Sequence, residues 1–115
     1  SGLGALRRKP DLARRVTAAV LARLPEQQFE IAREAVRWLR VDGRLVYATC
    51  TPLAEENEAV VARLCAESKL VALPQREWLP PELHALSQDL ASPALRLLPH
   101  VHGTDAFTVH VLRRA

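Results

Sequence analysis

Residues 43–61 read Gly-Arg-Leu-Val-Tyr-Ala-Thr-Cys-Thr-Pro-Leu-Ala-Glu-Glu-Asn-Glu-Ala-Val-Val. The apolar run Leu45 to Ala48 suits a strand over 44–49, buried on both faces of a parallel sheet. Asp42-Gly43 ahead of it supplies a turn out of a preceding helix. Behind it, Pro52, Glu55 and Glu56 are helix-start signals: proline for the first turn, acids for the positive end of the macrodipole. Cys50 therefore falls where a buried strand ends and a helix begins. In open α/β sheets that edge is where ligands bind, and a helix N-terminus favours the thiolate of a nearby cysteine. A buried structural cysteine is the competing reading.

Upstream, Pro10-Asp11 opens a helix that carries Leu12, Val16, Ala19, Val20 and Leu24 on one face and is interrupted at Pro25. A second helix runs from about Glu26 to Arg40. Its buried stripe reads as Ile31, Ala35, Trp38 and Leu39, with Arg33, Glu34 and Arg37 on the wet side. Downstream, a helix over about Ala54 to Glu67 turns Val60, Val61 and Leu64 inward, and Cys65, four residues after Val61, reads as packing. Leu70 to Leu73 is a short strand. Prolines at 74, 80, 81, 93 and 99 make residues 74–100 irregular, with a short helix at Pro81 to Leu86. Phe107 to Arg113 is a closing strand, with Phe107, Val109 and Val111 on one face and Thr108 and His110 on the other. The order of elements makes the class α/β.

The 115 residues suffice for one domain or part of one, and 49% are hydrophobic, so a core can form. Two cysteines in unrelated contexts suggest neither a disulfide framework nor a zinc site, which favours a reducing, cytoplasmic compartment. No apolar run approaches the roughly 18 residues of a membrane span. The absence of methionine and the Ser-Gly-Leu-Gly opening suggest a piece of a longer protein. Residues 1–24 hold six basic residues against one acid, a balance of +5 within a net +3. That bias fits a polyanion such as nucleic acid, although a solvated helix face would read the same way. His100 and His102 lack a third metal ligand at a sensible spacing, so no metal is expected. Ser1-Gly2-Leu3-Gly4 only weakly resembles a phosphate-cradling loop, because the lysine of that motif is missing.

Three separated segments together resemble the Sun/RsmB family of S-adenosylmethionine-dependent RNA (cytosine-5)-methyltransferases. Ser1-Gly2-Leu3-Gly4 with Leu6 to Leu12 is similar to the family segment that follows its Asp-Ala-Pro-Cys motif. Residues 43–61 resemble its Thr-Cys motif with the Glu-Glu-Asn-Glu helix start. Arg96 to Phe107 resembles its closing segment. Asp42, Ala106 and Thr108 depart from the family pattern.

The resemblance implies that residues 1–115 are the C-terminal half of a Rossmann-like catalytic domain. This half would hold the last three strands, the final one antiparallel between its neighbours, with flanking helices. It implies that Cys50 attacks carbon 6 of the target cytosine, and that Arg7, Arg8 and Lys9 contact the RNA backbone. S-adenosylmethionine would be bound mainly by an upstream half, leaving no cofactor-binding residue in 1–115 and no activity in this piece alone. Ribosomal RNA is favoured over transfer RNA as partner, and an unpaired edge on the 44–49 strand could lead the piece to self-associate. Two rivals stand beside this reading. A DNA cytosine-5 methyltransferase would carry its nucleophile in a Pro-Cys motif, which the Thr-Cys match disfavours. A non-catalytic RNA-binding or assembly module could retain the same fold.

Overall fold

A computed structural model describes residues 1–115. Its sheet has four strands, β1 (Arg44–Thr49), β2 (Leu70–Ala72), β3 (Ala94–Leu97) and β4 (Phe107–Arg114). Every pairing is with β4, and every pairing is antiparallel. β1 runs along one edge of β4, from Arg44 opposite Arg113 to Thr49 opposite Thr108. On the other edge β2 takes the far end, with Leu70 opposite Arg114, and β3 takes the near end, with Leu97 opposite Phe107. The closing strand thus lies antiparallel between two neighbours, as the family resemblance implies. The fourth strand, β3, falls inside the stretch expected to be irregular. It has four residues, too short for its Leu95-Arg96-Leu97 alternation to stand out, and its place is set by the free edge of β4. Gln75, buried, ties that stretch down by donating through Nε2 to the carbonyls of Asp89 (3.1 Å) and Ala94 (2.7 Å).

The helices are α1 (Leu12–Arg15), α2 (Ala18–Arg37), α3 (Glu58–Ser68) and α4 (Pro99–His102). The two long helices expected before β1 are divided differently. Thr17 caps α2, accepting from Val20 N at 3.3 Å, and α2 then runs unbroken through Pro25. A proline inside a helix costs about 3 kcal/mol or more. The buried residues of α2, Phe29, Ala32 and Val36, all follow Pro25, and the turns before it carry only half-buried Val20, Leu21 and Leu24.

The buried face of α2 also differs from the expected stripe. Ile31 and Trp38 are 73% and 85% exposed, and Ala35 is exposed as well. Of the four stripe residues, only Leu39 packs against the core. The helix has two apolar faces, and contacts with α3 select the one bearing Phe29. Arg63 of α3 stacks its guanidinium 3.6 Å from the Phe29 ring centroid, steered by Glu26 and Glu67.

Phe29 and Val36 of α2, Tyr47 of β1, Leu64 of α3, Leu70 of β2 and Leu112 of β4 meet in one core cluster. Val60 and Val61 join it and Cys65 packs at its margin, as the helical spacing predicts. β1 is not buried on both faces. Leu45 and Tyr47 turn to the core, while Val46, 62% exposed, and Ala48 face outward. β1 has a single partner strand, and no layer within residues 1–115 covers its outer face. On β4 Thr108, His110 and Leu112 are buried on one face, and Val111 is buried on the other. No helix is long and apolar enough to cross a membrane.

The choice of helix face can be tested by unfolding the 115-residue chain in urea. Phe29→Ala should cost about 3–5 kcal/mol, as for an aromatic lost from a core. Ile31→Ala should stay within about 0.5 kcal/mol. The reverse ranking would place the wrong face of α2 in the core.

Candidate active site at the end of strand β1

Thr49 closes β1 opposite Thr108, and Cys50 follows on an exposed loop. The strand ladder holds the backbone up to Cys50 while its thiol stays open to solvent. Beyond the ladder, the backbone polar groups need other partners. Gly4 N donates to Cys50 O at 2.8 Å, and Ala106 N donates to Gly4 O at 2.9 Å. Gly4 therefore stitches the first residues of the chain to the end of β1 and the approach to β4. A Cβ at Gly4 would lie 2.1 Å from Ala106 O and 2.7 Å from Cys50 O, so no side chain fits there. With its N–H engaged by Cys50, Gly4 is a structural clasp and not part of a phosphate-cradling loop.

The loop after Cys50 is held from several sides. Thr51 O accepts from Thr108 Oγ1 and from Asn57 Nδ2, both at 3.0 Å. Arg96 of β3 donates to Pro52 O at 3.1 Å and pairs with Glu58. The regular helix begins only at Glu58, after a 3₁₀ turn over Ala54–Glu56. Cys50 is thus not at the helix N-terminus, as the acidic helix-start signals suggest, but a loop and a turn away from it.

Beside Cys50 opens a cleft of about 470 Å³. Its apolar wall is made by Ile31 and Ala35 of α2, Val46 and Ala48 of β1, and Phe107. Its polar corner holds Ser1, Gln28, Thr51 and Glu56. Glu56 is 1% exposed, and its carboxylate accepts from Ser1 N (2.6 Å), Ser1 Oγ (2.5 Å) and Gln28 Nε2 (2.8 Å). Burial pushes its pKa upward, but in the 115-residue chain these bonds, led by the one from the Ser1 ammonium, outweigh burial and hold the carboxyl below its ordinary value. The Tyr47 hydroxyl donates to Glu56 O at 2.7 Å, and burial together with the Glu56 charge pushes the phenol up to about 12.

Because Gly4 docks at Cys50, the basic segment lies at the same end of the sheet. Arg7 and Arg8 both reach Asp105, at 3.3 Å and 2.5 Å, and hydrogen bonds led by Arg8 hold the Asp105 carboxyl below its usual range. Both guanidiniums remain more than half exposed, and Lys9 is exposed beside them. Surface pairs of this kind contribute about 0–1 kcal/mol, so a phosphate could replace Asp105 as partner. His102 is occupied structurally, accepting from Leu98 N at Nδ1 (2.9 Å) and facing Leu86 O from Nε2 (2.9 Å). Burial pushes the His110 ring pKa down. Sequence reasoning did not single out Asn57, Arg96 or Thr108 as parts of this site. Asn57 carried the one readable signal, a capping-type residue at a helix start.

The architecture is that of a methyltransferase-type α/β sheet. A methyltransferase homologue from Pyrococcus horikoshii superposes with a TM-score of 0.69 at 27% identity, over 87% of this chain and 34% of that one. A second solved chain, at 24% identity, shares the fold with a TM-score of 0.79 over 98% of this chain and 24% of its own. The family model for 16S rRNA methyltransferase RsmB/F matches residues 1–113, and the chain belongs to that family. A putative methyltransferase of Mycobacterium tuberculosis is 37% identical over 99% of this chain and 24% of its own length. A probable ribosomal RNA small subunit methyltransferase B of Synechocystis is 35% identical over 100% of this chain and 25% of its own. The chain therefore spans about a quarter of the length of these relatives.

A carboxyl held below its ordinary value stabilises the fold above its unfolded-state pKa, and the contribution is lost as pH falls through the folded value. In the 115-residue chain, Glu56→Gln should lower stability by about 1–3 kcal/mol at pH 7. The gap to the parent should close as pH falls below about 4. A gap that stays constant from pH 7 to pH 3 would show that the Glu56 charge plays no part.

Proposed function

We propose that the full-length protein methylates carbon 5 of a cytosine in ribosomal RNA, with Cys50 as the covalent nucleophile. We further propose that residues 1–115 form the C-terminal segment of a Rossmann-like catalytic domain. The observation that carries this reading is the position of Cys50. It is exposed at the carboxyl end of β1, beside the cleft, within the motif that resembles the family's Thr-Cys signature. The relatives named as small-subunit ribosomal RNA methyltransferases support the choice of substrate.

Carbon 5 of cytosine is a weak nucleophile. Attack of the Cys50 thiolate on carbon 6 forms an S–C6 bond and shifts electron density to carbon 5. When bound, S-adenosylmethionine supplies the electrophilic methyl group. Loss of the carbon-5 proton to a base then restores the ring's double bond and expels the Cys50 thiolate. To be attacked at carbon 6, the base must stand out of any stack, and the open cleft mouth suits such access. Of the two glycines near Cys50, Gly4 has both backbone polar groups engaged in the clasp. We therefore assign cofactor binding to the upstream half, which would pack on the apolar wall and the unpaired edge of β1. The same edge is the surface through which the isolated piece would self-associate.

Methyl transfer by the full-length protein tests the nucleophile. Cys50→Ala should lower the rate by at least about 10³-fold, as for other lost nucleophiles. Cys65→Ala, at the core margin, should cost some stability and little rate. Full activity in Cys50→Ala would refute the covalent role.

The RNA contact is tested by salt. Replacing Arg7, Arg8 and Lys9 with alanine should reduce the slope of log affinity against log salt by about 0.7 per lost contact to single-stranded RNA. An unchanged slope would remove this segment from the RNA interface.

A further inference from the structure

Four successive carbonyls follow β1, and each is held by a donor distant in sequence or from the next turn. Cys50 O accepts from Gly4 N (2.8 Å), Thr51 O from Thr108 Oγ1 and Asn57 Nδ2 (3.0 Å each), and Pro52 O from Arg96 Nη1 (3.1 Å). Leu53 O accepts from Asn57 Nδ2 (2.8 Å). Asn57 is the only side chain that holds two of them. Its other end is also fixed, because Oδ1 accepts from Thr49 Oγ1 at 2.5 Å. The orientation of the amide is chemically forced, since the two carbonyls can only accept and so must face the NH₂ group.

An asparagine at this position would ordinarily cap its own helix by accepting from an N–H of the first turn. The Asn57 side chain makes no such bond to α3. It is completely buried, 0% exposed, and reaches back over the loop. One amide therefore joins the last residue of β1, Thr49, to the loop on the far side of Cys50, at Thr51 and Leu53. Cys50 sits inside this bracket, with its own side chain outside it and exposed.

We propose that Asn57 is a positioning residue for Cys50. It acts as a two-ended clamp, oriented by the Thr49 hydroxyl, that holds the loop so that the thiol stands at the mouth of the cleft. The proposal rests on the reading of Cys50 as nucleophile and adds to it the group that sets the approach of the sulfur. A displacement of about 1 Å at a reacting atom can cost about 10²-fold in rate. The clamp should therefore be felt in kcat and not in RNA affinity.

The test uses the full-length protein with two readouts, methyl-transfer kinetics and the rate of iodoacetamide alkylation at Cys50 across pH, followed by peptide mass spectrometry. Asn57→Ala should lower kcat by about 10- to 100-fold while KM for RNA changes by less than about twofold, and it should change the alkylation profile at Cys50. Thr49→Val, which removes the hydroxyl that orients the amide, should reproduce part of the loss. Thr49→Ser, which retains the hydroxyl, should restore the rate. A folded Asn57→Ala protein with parental kcat and parental alkylation would overturn the proposal. If Asn57→Ala does not fold, the Thr49 pair decides, and parental kcat in Thr49→Val overturns it. Alkylation reports on the clamp independently of methyl transfer. Activity surviving in Cys50→Ala would thus remove the nucleophile reading, while an altered profile in Asn57→Ala would still establish the clamp.

Discussion

The structure depends on the two hydrogen-bonding edges of β4. The three other strands pair with β4 and not with one another, so its eight residues, Phe107–Arg114, set the register of the whole sheet. Side chains alternate along a strand, so a one-residue slip would turn Leu112, fully buried at the centre of the core, out to the opposite face. The same register places Thr49 opposite Thr108 and so brings Cys50 to the end of the sheet where β4 begins. Gly4 extends this alignment by one step, bridging Cys50 and Ala106 with its own backbone. The site is thus a consequence of strand pairing before any side-chain chemistry is considered.

Where the ladder ends, buried polar side chains take over its role. Thr108 and Asn57 serve the carbonyls after Cys50, and Gln75 serves those of Asp89 and Ala94. Glu56 accepts from the backbone nitrogen and the hydroxyl of Ser1. Buried polar groups must find partners, and here the partners are the ends of irregular segments. The stretches around 50–57 and 75–94 are therefore as closely determined as the sheet itself. The exposed apolar wall formed by Ile31, Ala35, Val46 and Ala48 has no such counterpart in residues 1–115.

Much of this was legible in the sequence, for reasons that can be named. The inward spacing of Val60, Val61 and Leu64 and the alternating end of the chain carry strong local periodicity, and the apolar β1 run marks a strand although not which of its faces is buried. The place of Cys50 at the end of β1 followed from the strand run, while the proline and acids after it marked a 3₁₀ turn rather than the start of the regular helix. The unbroken course of α2 through Pro25 was not legible, because proline is a strong local breaker and nothing in the local spacing marks the helix as continuing past it. Nor was its buried face. Ile31, Ala35 and Trp38 form as good an apolar stripe as the one chosen, and only the packing of α3 decides between them. β3 escaped because four residues are too few for their alternation to stand out. The clamp at Asn57 escaped because its hydrogen bonds join residues that sequence spacing alone does not bring together.

The central claim is that the sulfur of Cys50 bonds to the target base. The most direct measurement is covalent trapping by the full-length protein on RNA that carries 5-fluorocytosine at the target position. Fluorine cannot leave as the carbon-5 proton does, so the S–C6 bond persists after methyl transfer. The account predicts an adduct that peptide mass spectrometry locates on Cys50 and that disappears in Cys50→Ala. An adduct that persists in Cys50→Ala, attached to another residue, would contradict it.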